Sequence, residues 1–152
     1  MSNEQDKGLV ELKVFASFAN RCGIPIVPGS AQKREPPEPD ILCELETGEA
    51  LAFELAEACA PEFAAAQTTA VRDGVSSAVW GEDVSVATIR KKLSKAYPVA
   101  CDVELLLYTN GRTVLADDTI QAKLEPILQD GIGQYKRVWF FGDDLHVLAQ
   151  GG

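Results

Sequence analysis

Between Ile41 and Ala56 the chain alternates apolar and polar residues twice, as Ile41-Leu42-Cys43-Glu44-Leu45-Glu46 and as Leu51-Ala52-Phe53-Glu54-Leu55-Ala56, with Thr47-Gly48-Glu49 between them. Period-two alternation sends successive side chains to opposite faces of an extended strand, and a short glycine-bearing gap turns the chain back. The segment therefore predicts a β-hairpin. With Thr47 to Glu49 as the loop, position 46 faces 50, 42 faces 54 and 40 faces 56. Asp40 and Glu54 then share one face as diagonal neighbours about 7 Å apart.

The rest of the chain supplies what such a hairpin packs against. Residues 4 to 22 read as a helix, with Val14, Phe15 and Phe18 near helical spacing and Gly23 to close it. Glu11 falls on the face of Phe15 and Phe18, which sets a carboxylate at the edge of the core with its head toward water. Ile24 to Val27 reads as a short extended piece and Ser30 to Pro39 as an exposed loop. A helix is expected from about Glu62 to Arg72, and another from Asp83 or Ser85 that ends before Pro98. The second carries Val86, Ile89, Leu93 and Ala96 on one face and a basic stripe of Arg90, Lys91, Lys92 and Lys95. Asp102 to Tyr108 is a strand whose Leu105-Leu106-Leu107 run implies burial on both faces, with a turn at Asn110-Gly111. A helix capped by Asp117 or Asp118 follows, carrying Ile120, Leu124, Ile127 and Leu128 and kinked at Pro126. Val138 to Phe141 and Leu145 to Leu148 end the chain as two strands. The order predicts an α/β domain with a mixed sheet flanked by helices.

At 152 residues, with 46% hydrophobic and 24% charged residues, the chain is of ordinary globular composition, and one domain over residues 1–152 is expected. No apolar run reaches the roughly 18 residues that span a bilayer, so no membrane association is expected. Cys22, Cys43, Cys59 and Cys101 form no close pairs of the kind that bind zinc, and they read as reduced thiols in a cytoplasmic protein. His146, the single histidine, lacks a local motif and reads as a strand residue. The net charge of −9 excludes a protein that coats nucleic acid by bulk electrostatics, though not one with a local basic stripe.

Pro39-Asp40, a hairpin, and then Glu54-Leu55-Ala56 resemble the motif of the PD-(D/E)XK nuclease superfamily, the restriction-endonuclease-like fold. The resemblance covers roughly residues 4 to 108 by element order, with the first strand near Ile24 to Val27. It implies a restriction-endonuclease-like core and a Mg²⁺-dependent nuclease that hydrolyses phosphodiesters. Asp40 and Glu54 would hold the metal with the Leu55 carbonyl, and Glu11 would support it, usually through water. The lysine that assists catalysis is expected two residues after the second acid, where this chain has Ala56. Some members carry that lysine on the following helix, which makes Lys91, Lys92 and Lys95 the candidates here. Two readings stay open: a nuclease acting on nucleic acid, or a non-catalytic interaction or immunity-type protein that keeps the fold and binds a protein partner. The absent motif lysine and the net acidity favour the second.

Overall fold

The computed structural model of the chain describes residues 3–57, 89–109 and 117–151. Within them lie α1 (Asn3–Ala19), β1 (Gln32–Lys33), β2 (Ile41–Glu44), β3 (Ala50–Glu57), β4 (Asp102–Tyr108), α2 (Asp117–Gln129), β5 (Arg137–Phe141) and β6 (Leu145–Gln150). Residues 89–93 are also helical. The strands form one mixed sheet in chain order, antiparallel except where β3 meets β4 and β4 meets β5.

The predicted hairpin is β2 and β3, but its turn sits one residue earlier than expected. Gly48 takes a positive φ of 91°, and Leu45 pairs with Glu49, so the loop is residues 46–48. This is the three-residue arrangement in which a tight turn ends on a left-handed residue, a conformation glycine adopts without penalty. The register moves by two, so that Leu42 faces Ala52 and Ile41 faces Phe53. A shift of two preserves which face each side chain occupies. One step beyond Ile41, Asp40 therefore lies opposite Glu54 rather than diagonal to it.

Parity divides the sheet into two buried faces. Leu51, Phe53 and Leu55 of β3 join Leu106, Tyr108 and Trp139 on the face covered by Phe15 and Phe18 of α1. Phe53 is wholly buried, with ring centroids 5.0 Å from Phe15 and 5.3 Å from Phe18. The other face gathers Ala52, Ala56, Val103, Leu105, Leu107, Val138 and Phe140 beneath Ile120, Leu124, Ile127 and Leu128 of α2 and beneath Ile89, Leu93 and Tyr97. The three central leucines are fully buried, as a parallel strand covered on both sides requires.

Several expectations change. The sheet's first strand is Gln32–Lys33, inside the segment read as an exposed loop, while Ile26 makes only a single bridge to Leu45. A two-residue strand is too short to show alternation. Helix α1 ends at Ala19, and Gly23 at φ 76° follows it. Glu11 is buried, not at a wet edge. The helical segment stops at 93, so Ala96 lies beyond it and is exposed. His146 is in β6, stacked on Phe140. The expected helix over 62–72, the start of the one from 83 or 85, the Asn110-Gly111 turn and Cys59 lie outside the described residues. No described helix is long and apolar enough to cross a membrane.

Candidate functional site

The end of β2 and the middle of β3 are tied by two reciprocal hydrogen bonds. The Asp40 N–H donates to Glu54 Oε1 at 3.1 Å, and the Leu55 N–H donates to Asp40 Oδ2 at 2.9 Å. Each carboxylate is thus oriented through one oxygen by the backbone of the facing strand, which leaves the other oxygen directed at a cation. For Glu54 that cation is Lys92, whose Nζ lies 2.5 Å from Oε2, with the Lys95 ammonium at 3.7 Å. For Asp40 it is Lys33, at 3.3 Å from Oδ1.

Lys33 also contacts Glu11 Oε1 at 3.0 Å and so joins α1 to the end of β2. Glu11 is only 1% exposed, and a carboxylate so removed from water stays charged only beside a compensating positive group. Burial opposes the charge on Lys33, but the hydrogen bonds and charges of Glu11 and Asp40 outweigh it and raise its pKa above the usual lysine value. Gly8, one helical turn before Glu11, leaves room for the lysine stem, which passes 3.5 Å from where a Cβ would sit.

Glu54 occupies the same sheet face as Ala52 and Ala56 and is 3% exposed. Above it lie Ile89, Leu93 and Tyr97, packed on Ala56. The small side chain at 56 faces the segment that delivers Lys92 and Lys95. Of the three candidate lysines, Lys92 and Lys95 reach Glu54, whereas Lys91 is exposed on the outer side of the helical segment. In an extended strand a residue's N–H and C=O point to the same neighbour. The Leu55 carbonyl therefore faces the Asp40 side of β3, as its N–H does.

Three further side chains were not singled out by sequence pattern. Lys33 lies in a Pro- and charge-rich stretch with no periodicity to mark it. Tyr97 and Tyr135 are buried and share a hydrogen bond of 2.6 Å between their hydroxyls, next to the lysine segment. Burial, and then the negative charge of Glu54 and Asp40, push the Tyr97 hydroxyl well above its ordinary pKa. A hydroxyl on an otherwise apolar ring, one residue before Pro98 or six after α2 ends, carries no spacing signal.

Among the described residues no three of His, Cys, Asp and Glu converge into a ready-made metal cage. At β2 and β3 two carboxylates meet, and each of their four oxygens accepts from a backbone N–H or lies against a lysine ammonium. A surface cavity of about 250 Å³ lies elsewhere, lined by Lys13, Val14, Ser17, Thr109, Phe141 and Gly142, and touches neither acid. The described cysteines are free thiols, with burial pushing Cys43 up to about 12.

No protein-family model, curated protein or solved structure matches the chain.

Proposed function

We propose that the chain is a divergent PD-(D/E)XK-like protein with a restriction-endonuclease-like core, acting as a Mg²⁺-dependent nuclease. The observation that carries this reading is the mutual clamp of Asp40 and Glu54 with Lys92 against it. An acid at the start of one strand and an acid within the next are oriented by each other's backbone, and a lysine from the following helical segment stands beside the second. The sheet order supports the same reading, with an antiparallel β1–β2–β3 followed by parallel β4 and a helix against the β2–β3 face.

Asp40, Glu54 and the Leu55 carbonyl would hold the ion, with Glu11 behind them. A bound Mg²⁺ would supply Lewis-acid polarisation of the phosphate and a lower pKa for water. Around it the chain's own groups have defined tasks. The paired backbone donors fix the two acids in place, so little reorganisation is needed when substrate arrives. The Lys92 ammonium, held at Glu54 Oε2, faces the scissile phosphate and offsets the charge that builds as the water oxygen bonds to phosphorus and the ester oxygen departs. Lys95, more exposed than Lys92 and 3.7 Å from the same Glu54 oxygen, would add a second ammonium toward a phosphate backbone.

The test is cleavage of labelled single- and double-stranded DNA and RNA in Mg²⁺ or Mn²⁺. Cleavage that is abolished by EDTA, by Glu54→Gln and by Asp40→Asn is expected, with Lys92→Ala lowering the rate about a hundredfold or more and Lys91→Ala leaving it unchanged. Metal binding without cleavage of any substrate would favour the second reading, a non-catalytic interaction protein on this fold. The net charge of −9 and the alanine at 56 are the observations on that side.

A further inference from the structure

The loop between α2 and β5 is fastened to the lysine segment at several points. The Tyr135 hydroxyl donates to the main-chain carbonyl of Lys92 at 3.0 Å and shares the 2.6 Å hydrogen bond with Tyr97. The Gln134 carboxamide takes both main-chain groups of Tyr97, accepting from its N–H at 2.6 Å and donating to its carbonyl at 3.3 Å. Gly133 presses so close that a Cβ there would lie 2.3 Å from the Leu93 carbonyl oxygen. These contacts all fall on the stretch from Lys92 to Tyr97, across the end of the helical segment, where the Lys92 carbonyl also accepts from the Lys95 N–H at 3.1 Å, so Tyr135 adds a second donor to that carbonyl from outside the segment.

A helix end that carried Lys92 on a loose turn would spread its ammonium over many positions. A long lysine stem alone does not fix a charge, because its rotamers are many and its ammonium is well hydrated. Here the carbonyl of Lys92 itself is held from behind by Tyr135. The Tyr97 ring lies under the Lys95 ammonium, 5.7 Å from ring centroid to Nζ, so the second lysine is steadied by the same pair. Tyr135 is 1% exposed and Tyr97 6%, so water does not compete for these hydroxyls.

We propose that Tyr135, acting with Tyr97 and Gln134, is a positioning residue that sets where the Lys92 ammonium stands relative to Glu54. The loop 132–135 is then part of the working site although none of its residues touches either acid. The inference rests on the reading of Lys92 as the lysine that faces the scissile phosphate.

Tyr135→Phe keeps the ring and removes only the hydroxyl, and Gln134→Ala, at an exposed residue, loosens Tyr97 without opening the core. Two measurements decide. In Mg²⁺-dependent cleavage by the full chain, Tyr135→Phe is expected to lower kcat about tenfold or more with KM unchanged, because a small misplacement of a reacting group is costly. The same substitution made in Lys92→Ala should have no further effect on kcat, as coupled residues are non-additive. Full additivity of the two substitutions, or an unchanged kcat in Tyr135→Phe, would overturn the proposal. The second measurement needs no substrate: NMR of isotope-labelled lysine ammonium groups should show the Lys92 signal broadened or lost in Tyr135→Phe and weakened in Gln134→Ala, with Lys33 unchanged. An unperturbed Lys92 signal in both variants would overturn it. Should the wild type cleave nothing, the nuclease reading falls and the ammonium spectra alone decide the positioning role.

Discussion

Phe53 shows how much one side chain can carry in this fold. It is fully buried at the meeting of β2, β3 and α1, in contact with the rings of Phe15 and Phe18. Phe53→Ala removes that area and leaves a cavity the rings cannot fill, so it should cost about 3–5 kcal/mol in denaturant unfolding. A loss under about 1 kcal/mol would contradict the observed register. The buried titratable groups predict an alkaline limit to stability. Burial raises Cys43 from 9.0 to about 12 and raises Tyr97 and Tyr135 above their usual value. Where the unfolded thiol has ionised and the folded one has not, the unfolded state binds fewer protons, so stability falls as pH rises. The contribution is whole below about pH 9 and is lost toward about pH 12. Unfolding followed across this window should show a falling midpoint, with tyrosinate absorbance from Tyr97 and Tyr135 appearing only as the chain unfolds. Early tyrosinate absorbance from the native protein would show those hydroxyls to be accessible.

At the scale of elements, legibility followed periodicity. The hairpin, the buried strand Asp102–Tyr108 and the helix α2 each repeat a pattern over enough residues to be read directly. The face shared by Asp40 and Glu54 was legible because parity survives a two-residue slip, although the slip itself was decided by Gly48. Strand β1 was not legible, since two residues have no period and its neighbours are prolines and charges. Lys33 went unseen with it, although it meets two carboxylates. Lys92 could be nominated from the stripe, but its choice over Lys91 depends on where the segment ends and on what holds it there. Gly133 is one such support. Its φ of 59° and its closeness to Leu93 mean that Gly133→Ala must move backbone, not a flexible side chain. The substitution should cost about 1–3 kcal/mol or more in stability, read by thermal or denaturant unfolding. A neutral result would show that the loop and the lysine segment are not pressed together.

At the scale of the whole molecule, the site is a problem of charge. Two sets of ion pairs, Glu11–Lys33–Asp40 and Glu54 with Lys92 and Lys95, are joined in an already acidic protein by the hydrogen bonds between Asp40 and the Glu54–Leu55 stretch. Closely spaced carboxylates repel unless cations stand between them, so a divalent ion that enters this group takes over a task the lysine ammoniums already perform and must displace them from the oxygens it binds. Because such an ion binds only where the fold has assembled its donors, it stabilises the folded chain by mass action, about 2.7 kcal/mol at a hundredfold excess over Kd. The most direct test is the melting temperature of wild type, Asp40→Asn and Glu54→Gln over a titration of Mg²⁺ and, separately, Mn²⁺. A saturable rise in Tm is expected for the wild type and is absent from both variants. A flat wild-type curve, or the same rise in all three proteins, would contradict a metal site at Asp40 and Glu54.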